Sequence, residues 1–545
     1  MIIKDLSSRL SRYIGQMEAE GTEEVLDSVT IGVPKNRKFG DLFTNAAMVL
    51  AKPLRKNPML IADQMIEQLE PVWEQAENME VVKPGFINFR LKDEFIKSRL
   101  ADIGRLTGDY GRNREGDSVK VNIEYVSSNP TGNLHIGHGR WGVLGDVLAR
   151  LYAANGYQVT REYYVNDYGT QIQKFGQCAV SLYRSHFGQE CVYPEDGYPR
   201  EAVLRVVESI IEKQGSRFLE DIKDLEKSAV DAMVGAIRDT LSSMGVDFDV
   251  WFKESSLYQD KNFEKVIDKL EKKDLAYSSE GALWFRSSDY GDEKDRVIVR
   301  KEGQPTYFAS DIMYLMNKAE RGFDRLFYIL GADHHGYVDR LKATARALGL
   351  QKAELNIIIG QLVRLVKSGK PVKMSRRKGK VYTLSDLIDE VGRDAVRYFF
   401  AANSFDTPMD FDIDLAKQKS NQNPVFYVQY AHARIESILD KVGRELSMED
   451  IDSGMIDFSS ETEREIAKKL IFFPDEVYNG CVNNAPYFLT QYLYGLASDF
   501  HYFYNHYRIM EGEKINTRRL ALVLLTKQVL VNGLDMLGIS APSKM

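Results

Sequence analysis

Three observations predict an α/β chain with a parallel sheet at its centre, an α+β segment before it and an all-helical segment after it. The first is a change of period. Val119, Val121, Ile123 and Tyr125 alternate with Lys120, Asn122 and Glu124, as on a strand. After a loop holding Pro130 and Gly132, the apolar residues Val143, Leu144, Val147, Leu148 and Leu151 recur at helical spacing. Asn155-Gly156 supplies a helix stop, and Gln158 to Val165 reads as a second strand, which completes a βαβ unit. The second observation is the apolar run Leu326 to Leu330, a further strand that ends in Gly331-Ala332-Asp333. The third is helical spacing in the last quarter of the chain, where Leu493, Leu496, Ala497, Phe500 and Tyr504 form one stripe and Leu520, Val523, Leu524, Val529 and Leu530 another. Open parallel sheets bind ligands at the carboxyl ends of their strands, so the loops after Glu124 and after Leu330 are where function is expected.

At 545 residues the chain is long for one domain. The patterns divide it into 1–113, a region of mixed helix and strand closing on Gly85 to Leu91; 114–415, the nucleotide-binding sheet, interrupted at about 173–277 by a charged, helix-rich insertion; and 416–545, helices. Hydrophobic residues make up 44% and charged residues 28%, which excludes extensive disorder. A formal charge of −7 means that any polyanion must be met by local basic patches. Cys178, Cys191 and Cys481 form neither a disulfide framework nor a paired zinc motif, so a reducing, cytoplasmic setting is the simplest expectation. The opening Met1-Ile2-Ile3-Lys4-Asp5-Leu6 lacks a secretory apolar core, and no run is expected to be long enough to cross a membrane.

Two segments carry chemistry. Ser128-Asn129-Pro130-Thr131-Gly132-Asn133-Leu134-His135-Ile136-Gly137-His138 sets two histidines around a glycine at the strand-to-helix junction. A helix N-terminus attracts phosphate through its unpaired N–H groups and macrodipole, and two imidazoles there can donate to phosphoryl oxygens as charge builds. One such donor is typically worth on the order of 3 kcal/mol in a transition state. Gly137, without a Cβ, lets an adenine lie against the backbone. By itself the pair also fits a metal site or chance. Far downstream, the stretch from Arg364 to Lys380 holds eight Lys or Arg and no acid, with Lys373-Met374-Ser375-Arg376-Arg377-Lys378 at its heart. Such a loop can close over a triphosphate and stabilise departing pyrophosphate; as a charge run alone it also fits a solvated surface. Asp333, at a strand end, is placed to accept from ribose hydroxyls, with a plain turn as the competing reading.

In this order and this far apart, the two segments resemble the signatures of class I aminoacyl-tRNA synthetases, and among those the arginyl-tRNA synthetases. The likeness runs nearly end to end. It includes Asn122-Ile123-Glu124-Tyr125-Val126-Ser127, Arg161-Glu162-Tyr163-Tyr164-Val165-Asn166-Asp167, Pro305-Thr306-Tyr307-Phe308-Ala309-Ser310-Asp311, Gly331-Ala332-Asp333-His334-His335-Gly336-Tyr337 and Asn423-Pro424-Val425-Phe426-Tyr427-Val428-Gln429-Tyr430. The resemblance implies a Rossmann-like catalytic domain that activates L-arginine with ATP, Mg²⁺ neutralising phosphate charge, and passes the arginyl group to the 3′ end of tRNA(Arg). It implies activation that depends on bound tRNA, and a monomer with no membrane partner and no metal held by the protein alone. His135, His138, Lys373 and Arg376 become the catalytic set. His135, Gly137, His138, Gly331, Asp333, Lys373, Met374 and Ser375 become the ATP site. The family's second signature commonly ends in lysine where this chain has Arg376, a planar fork instead of a point charge. Which of Lys373, Arg376 or Lys378 meets the leaving group stays open.

A guanidinium presents five donors in a plane, so a selective pocket needs carboxylates at fixed angles and often an aromatic face. Tyr307 and Asp311 lie four apart at what reads as a helix start, hence on one face. By resemblance Glu124, Tyr307 and Asp311 contact the arginine side chain, Asn129 and His334 lie near its α-amino end, and Glu254 is a weaker match. The N-terminal region is expected at the tRNA elbow, with Lys35, Arg37 and Lys38 near phosphates, and the helical region at the anticodon. Its aromatic stripe from Tyr487 to Tyr507 is read mainly as core. Two other functions fit parts of the pattern: a small-molecule nucleotidylyltransferase, which would not need the flanking regions, and a non-catalytic RNA-binding paralogue.

Overall fold

The computed structural model describes residues 1–17, 26–34, 36–350, 352–372, 382–443, 446–512 and 514–545; the side chains of Arg37, Asp333, His334 and His335 lie outside the description. Five parallel strands form the centre: β1 (Lys120–Glu124), β2 (Gln158–Val165), β3 (Val250–Lys253), β4 (Arg325–Gly331) and β5 (Glu354–Gly360), in the order β5-β4-β1-β2-β3. From β1 the chain winds outward through β2 to β3, then returns to lay β4 on the other side of β1. The direction of winding therefore reverses between β1 and β4, and the crevice at their carboxyl ends is the switch point where such sheets bind ligands. Both ends that the sequence marked, the loop after Glu124 and the loop after Gly331, open there.

The expected alternation in β1 does not divide inside from outside. Val121 and Ile123 are buried, but so are Asn122 and Glu124, because a parallel sheet is covered on both faces by its crossover helices. Helix α1 (Ile136–Ala154) covers one face with Val143, Leu144, Val147, Leu148 and Leu151, all buried. Its Tyr152 ring packs edge-on against Phe327 of β4. Helix α2 (Tyr307–Glu320) covers the other face, where Lys318 reaches Glu124 of β1.

The stretch expected as an insertion contributes helices Thr170–His186, Arg200–Gln214 and Ile222–Ser243, and it also contains β3, an edge strand of the main sheet. Four residues, Val250–Lys253, are too few to read as a strand beside so much helical spacing. Beyond β3 a three-stranded antiparallel sheet, Ala276–Ser279, Ala282–Phe285 and Arg296–Val299, leads into α2.

The N-terminal region is α+β: a four-stranded antiparallel sheet carries helices Ile2–Gly15, Ala46–Leu54 and Pro58–Leu69. The C-terminal region is a bundle of Pro424–Val442, Glu461–Val482, Tyr487–His506 and Thr517–Leu537, with one small hairpin, Met510–Glu511 with Lys514–Ile515. Contrary to the expectation that no run is long enough, Thr517–Leu537 has the length and apolar content to cross a membrane. It is buried on nearly all sides, from Leu520 through Leu530 to Leu537, as the central helix of a bundle is.

Helix Glu461–Val482 joins the three regions. Its Arg464 forks onto both oxygens of buried Asp41 at 2.9 Å and reaches Asp93 at 2.8 Å in the N-terminal region. Its Asp475 accepts from the N–H groups of Ile2 and Ile3 at 2.9 Å, capping the first helix. The carbonyl of Val477 accepts from Asn155 at the end of α1 (3.4 Å). Buried Arg397 ties α1 to the bundle, donating to Asp146 (2.6 Å) and to the carbonyls of Leu537 (2.7 Å) and Met244 (3.0 Å).

Candidate active site

His135 is the N-cap of α1 and His138 its third residue. The two close a reciprocal box: the His138 N–H donates to His135 Nδ1 (3.3 Å) and the His135 N–H donates to His138 Nδ1 (3.2 Å). This satisfies backbone groups that a helix start leaves orphaned. It also fixes the rings. Each Nδ1 is an acceptor, so each neutral imidazole keeps its proton on Nε2, the atom away from the backbone. The rings stack at 3.5 Å between centroids, with Trp141 edge-on to both at 5.9 and 5.5 Å. Burial, and then the neighbouring His135, push His138 down to about 3, so it is a neutral donor across the working pH range. The structure gives Gly137 a packing reason to lack a side chain: a Cβ there would come within 3.0–3.1 Å of the His135 ring.

The basic segment from Lys373 to Lys380, with Met374, Ser375, Arg376 and Lys378, lies outside the described residues. Its two flanks are described. On the near side, Val363–Lys367 and Lys370–Pro371 form a hairpin whose Val372 N–H donates to Leu365 (2.8 Å). On the far side, the N–H of Leu384 donates to the carbonyl of Leu134, one residue before His135 (3.1 Å). Leu384 also packs so closely on Gly139 that a Cβ there would meet it at 2.4 Å. Arg140, fully buried in α1, donates to the carbonyls of Gln361 (3.1 Å), Ser404 (2.6 Å) and Thr407 (2.7 Å), which fixes the base of the hairpin to the histidine helix. Both flanks of the basic segment are therefore tied to the histidine helix or to the loop that leads into it.

The carboxylates gather on the α2 face. Glu124 is buried, with Oε2 accepting from Lys318 Nζ (2.7 Å) and Oε1 from Ser127 (3.1 Å). Lys318 is itself fully buried, lying over the rings of Tyr328 (3.9 Å) and Tyr314 (4.5 Å). Glu254 is buried and accepts from Ser310 (2.7 Å) and, with its amide turned to donate, from Asn166 (2.9 Å). Burial, with a further push from the Asp167 charge, raises Glu254 above the usual carboxylate range. Asp311 is raised to about 7: burial is the largest cause, the Glu254 and Glu124 charges add to it, and a hydrogen bond from Tyr337 opposes it. Tyr307 opens α2 with its ring half exposed, its hydroxyl near Gly169, and Asp311 one turn further on the same helix. Asn129 is exposed and donates to Gln171 (2.9 Å).

Of the residues singled out in the sequence, the structure thus brings Glu124, Glu254 and Asp311 into mutual electrostatic reach and sets Tyr307 at the head of their helix. Gly331 ends β4, in register with Gly360 of β5. Asp333 and His334 follow in a short helical turn, and their side chains lie outside the described residues. Sequence reasoning passed over Lys318, Glu162 and Arg321. Lys318 stands seven residues after Asp311, two helical turns on one face, which is a usable signal. Glu162 accepts from Arg321 (2.5 and 2.8 Å), Asn122 (3.1 Å) and Tyr314, and only the strand register reveals that it lies beside Glu124.

Residues 105–410 match the model of the catalytic domain of class I tRNA synthetases of the R type. Residues 2–91 match the arginyl-tRNA synthetase N-terminal domain, and 428–545 the DALR anticodon-binding domain. The chain belongs to the arginyl-tRNA synthetase family. Proteins named arginine–tRNA ligase from Desulforamulus reducens and Carboxydothermus hydrogenoformans are each 44% identical to it. The first match covers 95% of this chain and 94% of its relative, the second 94% and 93%. The arginyl-tRNA synthetase structure from Thermus thermophilus superposes over 100% of both chains with a TM-score of 0.76 at 22% identity, which is a likeness of fold.

Proposed function

We infer that this chain is an arginine–tRNA ligase, joining L-arginine to tRNA through arginyl-adenylate at the expense of ATP. The observation that carries the reading is a cluster of carboxylates, buried Glu124 and Glu254 with half-buried Asp311, on the sheet whose switch point also carries two imidazoles locked with Nε2–H outward. The first element suits a guanidinium and the second a reacting triphosphate. The arginine carboxylate is itself the nucleophile on the α-phosphate: its oxygen forms the new P–O bond as the bond to pyrophosphate breaks. No enzyme nucleophile is needed, and positioning with electrostatic stabilisation suffices. His135 and His138 donate from Nε2 to phosphoryl oxygens. Lys373, Arg376 or Lys378 meets the departing pyrophosphate. Gly137, Gly331 and Asp333 border the adenosine, with Met374 and Ser375 in the closing loop. Asn129 and His334 serve the α-amino end.

Mg²⁺ bound to the triphosphate would neutralise part of its charge. Among the described residues no three His, Cys, Asp or Glu side chains are arranged to hold a metal by themselves.

The anticodon is met in the bundle. A cavity of about 350 Å³ between helices Pro424–Val442 and Tyr487–His506 is lined by Tyr427, Tyr430, Arg434, His501 and Tyr502. Arg434 lies over the rings of Tyr430 (4.6 Å) and Tyr504 (4.7 Å) and bonds His501 (3.1 Å). Aromatic rings beside a guanidinium are a surface for an unstacked base. The protein acts as a cytoplasmic monomer, with the N-terminal region, including Lys35, Arg37 and Lys38, toward the tRNA elbow.

Charging assays with each amino acid on total tRNA test the reading. Arginine alone should be accepted, and ATP–pyrophosphate exchange should need tRNA. Exchange with a free small acid at full rate after removal of residues 416–545 would favour a nucleotidylyltransferase instead. ATP binding without exchange would favour a non-catalytic paralogue.

A further inference from the structure

Two stacked rings border the carboxylate end on its β2–β3 side. Tyr168 lies in the loop after β2, and Tyr258 closes the turn after β3. Their centroids are 4.3 Å apart and their planes 18° apart. Tyr258 is the inner ring: half-buried, packed against Phe263 at 5.9 Å, with its hydroxyl on Ser310 at 2.7 Å. Tyr168 is the outer ring. It is 42% exposed, and among the described residues Tyr258 is its one ring neighbour.

The stack is tied to the carboxylate cluster through both loops. Asp167, next to Tyr168, accepts from the N–H and from the hydroxyl of Ser255 at 2.8 Å each, which clamps the two loops together. Asn166, with its amide turned to donate, bridges the Tyr168 carbonyl (3.2 Å) and one oxygen of Glu254 (2.9 Å). Ser310, the partner of Tyr258, donates to the other oxygen of Glu254 (2.7 Å). On the far side of Tyr168, a Cβ on Gly169 would lie 3.8 Å from the hydroxyl of Tyr307, itself 54% exposed at the head of α2.

An exposed ring held this firmly needs little ordering on binding, and it offers a flat apolar face beside a hydroxyl. That chemistry suits an unpaired base, since every base has a π-face and single-stranded ends are commonly held by aromatic stacking. Which base follows from the strand order β5-β4-β1-β2-β3. In the arginine–tRNA reading ATP occupies the crevice between β1 and β4. The stack stands beyond Glu254 at the ends of β2 and β3, on the opposite side of the arginine carboxylates from the ATP adenosine. The reaction brings one other nucleoside to the arginyl group, the one whose ribose hydroxyl accepts it, and its base must lie within one sugar of that group.

We propose that the Tyr168–Tyr258 stack seats the 3′-terminal base of tRNA, which lies flat on the outer face of Tyr168. The proposal rests on the arginine–tRNA reading above and adds the residue that positions the accepting nucleotide.

Two variants of the full chain test it: Tyr168→Ala, and Tyr168→Leu, which keeps apolar bulk without a flat face. With a tRNA(Arg) transcript, kcat/KM for charging should fall about fivefold or more in both, the loss of one stacked base. The arginine Kd and the KM for ATP should stay within twofold, and Tyr168→Trp should keep near-wild-type charging. The decisive comparison uses the same transcript shortened by its last nucleotide. Wild type should bind the full-length transcript more tightly than the shortened one, and that difference should shrink about fivefold or more in Tyr168→Ala. A fluorescent purine analogue in the terminal position should be quenched on wild type and bright on Tyr168→Ala. Equal weakening toward both transcripts overturns the proposal, as does unchanged charging with the analogue still quenched. A wild-type chain that charges no tRNA with arginine instead sinks the reading on which the proposal rests.

Discussion

The two ends of the cleft are built by opposite means. The histidine end is local: four consecutive residues, His135 to His138, cap their own helix, fix their own tautomers and stack on each other. The carboxylate end is assembled from β1, β2, β4, α2 and the turn after β3, and most of its charges are already paired before any substrate arrives. A local motif can lose one donor and keep its shape. A long-range charge layer cannot lose one partner without exposing the other. Substitutions at the two ends should therefore fail differently, the one in chemistry and the other in stability.

The largest effect expected is at Lys318. Removing one member of a buried pair leaves an uncompensated charge, at a cost of about 3–5 kcal/mol. Lys318→Met should lower the unfolding free energy by that order in urea titrations, and L-arginine should restore part of it by supplying a cation to the same layer. Lys318→Met with Glu124→Gln should be more stable than Lys318→Met alone. Equal stability of the single variant and wild type would mean that the layer is not the electrostatic unit described.

At the histidine end, His138→Asn is the sharper probe than alanine. The asparagine oxygen can take the place of Nδ1 in accepting from the His135 N–H, while the Nε2 donor is lost. ATP–pyrophosphate exchange with tRNA present should fall about 10²–10³-fold, with the melting temperature nearly unchanged. His138→Ala should abolish exchange and also lose a capping contribution of roughly 1 kcal/mol. A variant that retained near-normal exchange would remove His138 from the chemistry.

This contrast also sets what could be read from the chain. The βαβ unit, the cap position of His135 and the shared face of Tyr307 and Asp311 follow from spacings of one to four residues, which periodicity reports directly. Period alone puts Glu124 on the polar side of its strand, and only the resemblance set it in the pocket, because one strand cannot show that helices cover both faces of its sheet. Lys318 and Tyr328 become visible only once β4 is known to lie against β1 in the register Tyr328 to Glu124, a pairing of residues 204 positions apart in the chain. In the bundle the aromatic stripe divides: Tyr492, Phe500 and Phe503 are core as expected, while Tyr502 is 55% exposed and Tyr494 43%. Helical spacing alone could not say which rings face outward.

Asp311 supplies a pH test of the carboxylate end. In the free protein it titrates near 7, raised first by burial and then by the Glu254 and Glu124 charges. A bound guanidinium favours the ionised form, so its value must fall in the complex. Below about 7, binding therefore releases a proton. The arginine Kd should rise by up to tenfold per pH unit as pH falls from 7, and stay flat above it. For the free chain the sign is opposite. A carboxyl raised above its unfolded value stabilises when protonated, and that contribution is lost as pH rises through 7. Asp311→Asn should flatten both profiles. The histidine end should show no such dependence, since His138 stays neutral over the same range.

The smallest effect expected lies far from both ends, at the exposed ring of Tyr502, which stacks on His506 at 4.1 Å beside the bundle cavity. Truncating a ring that is half in solvent removes little packing, so Tyr502→Ala should leave stability within about 0.5 kcal/mol. If the cavity holds an unstacked base, the lost contact is worth about 1 kcal/mol, or roughly fivefold in the KM for tRNA. The rate at saturating tRNA should not change, because the ring touches neither the imidazoles nor the carboxylate layer. A fall in that rate with KM intact would instead join the bundle cavity to the catalytic helix. The Arg397 junction between Asp146 and Leu537 would then be the first contact to test for carrying that coupling.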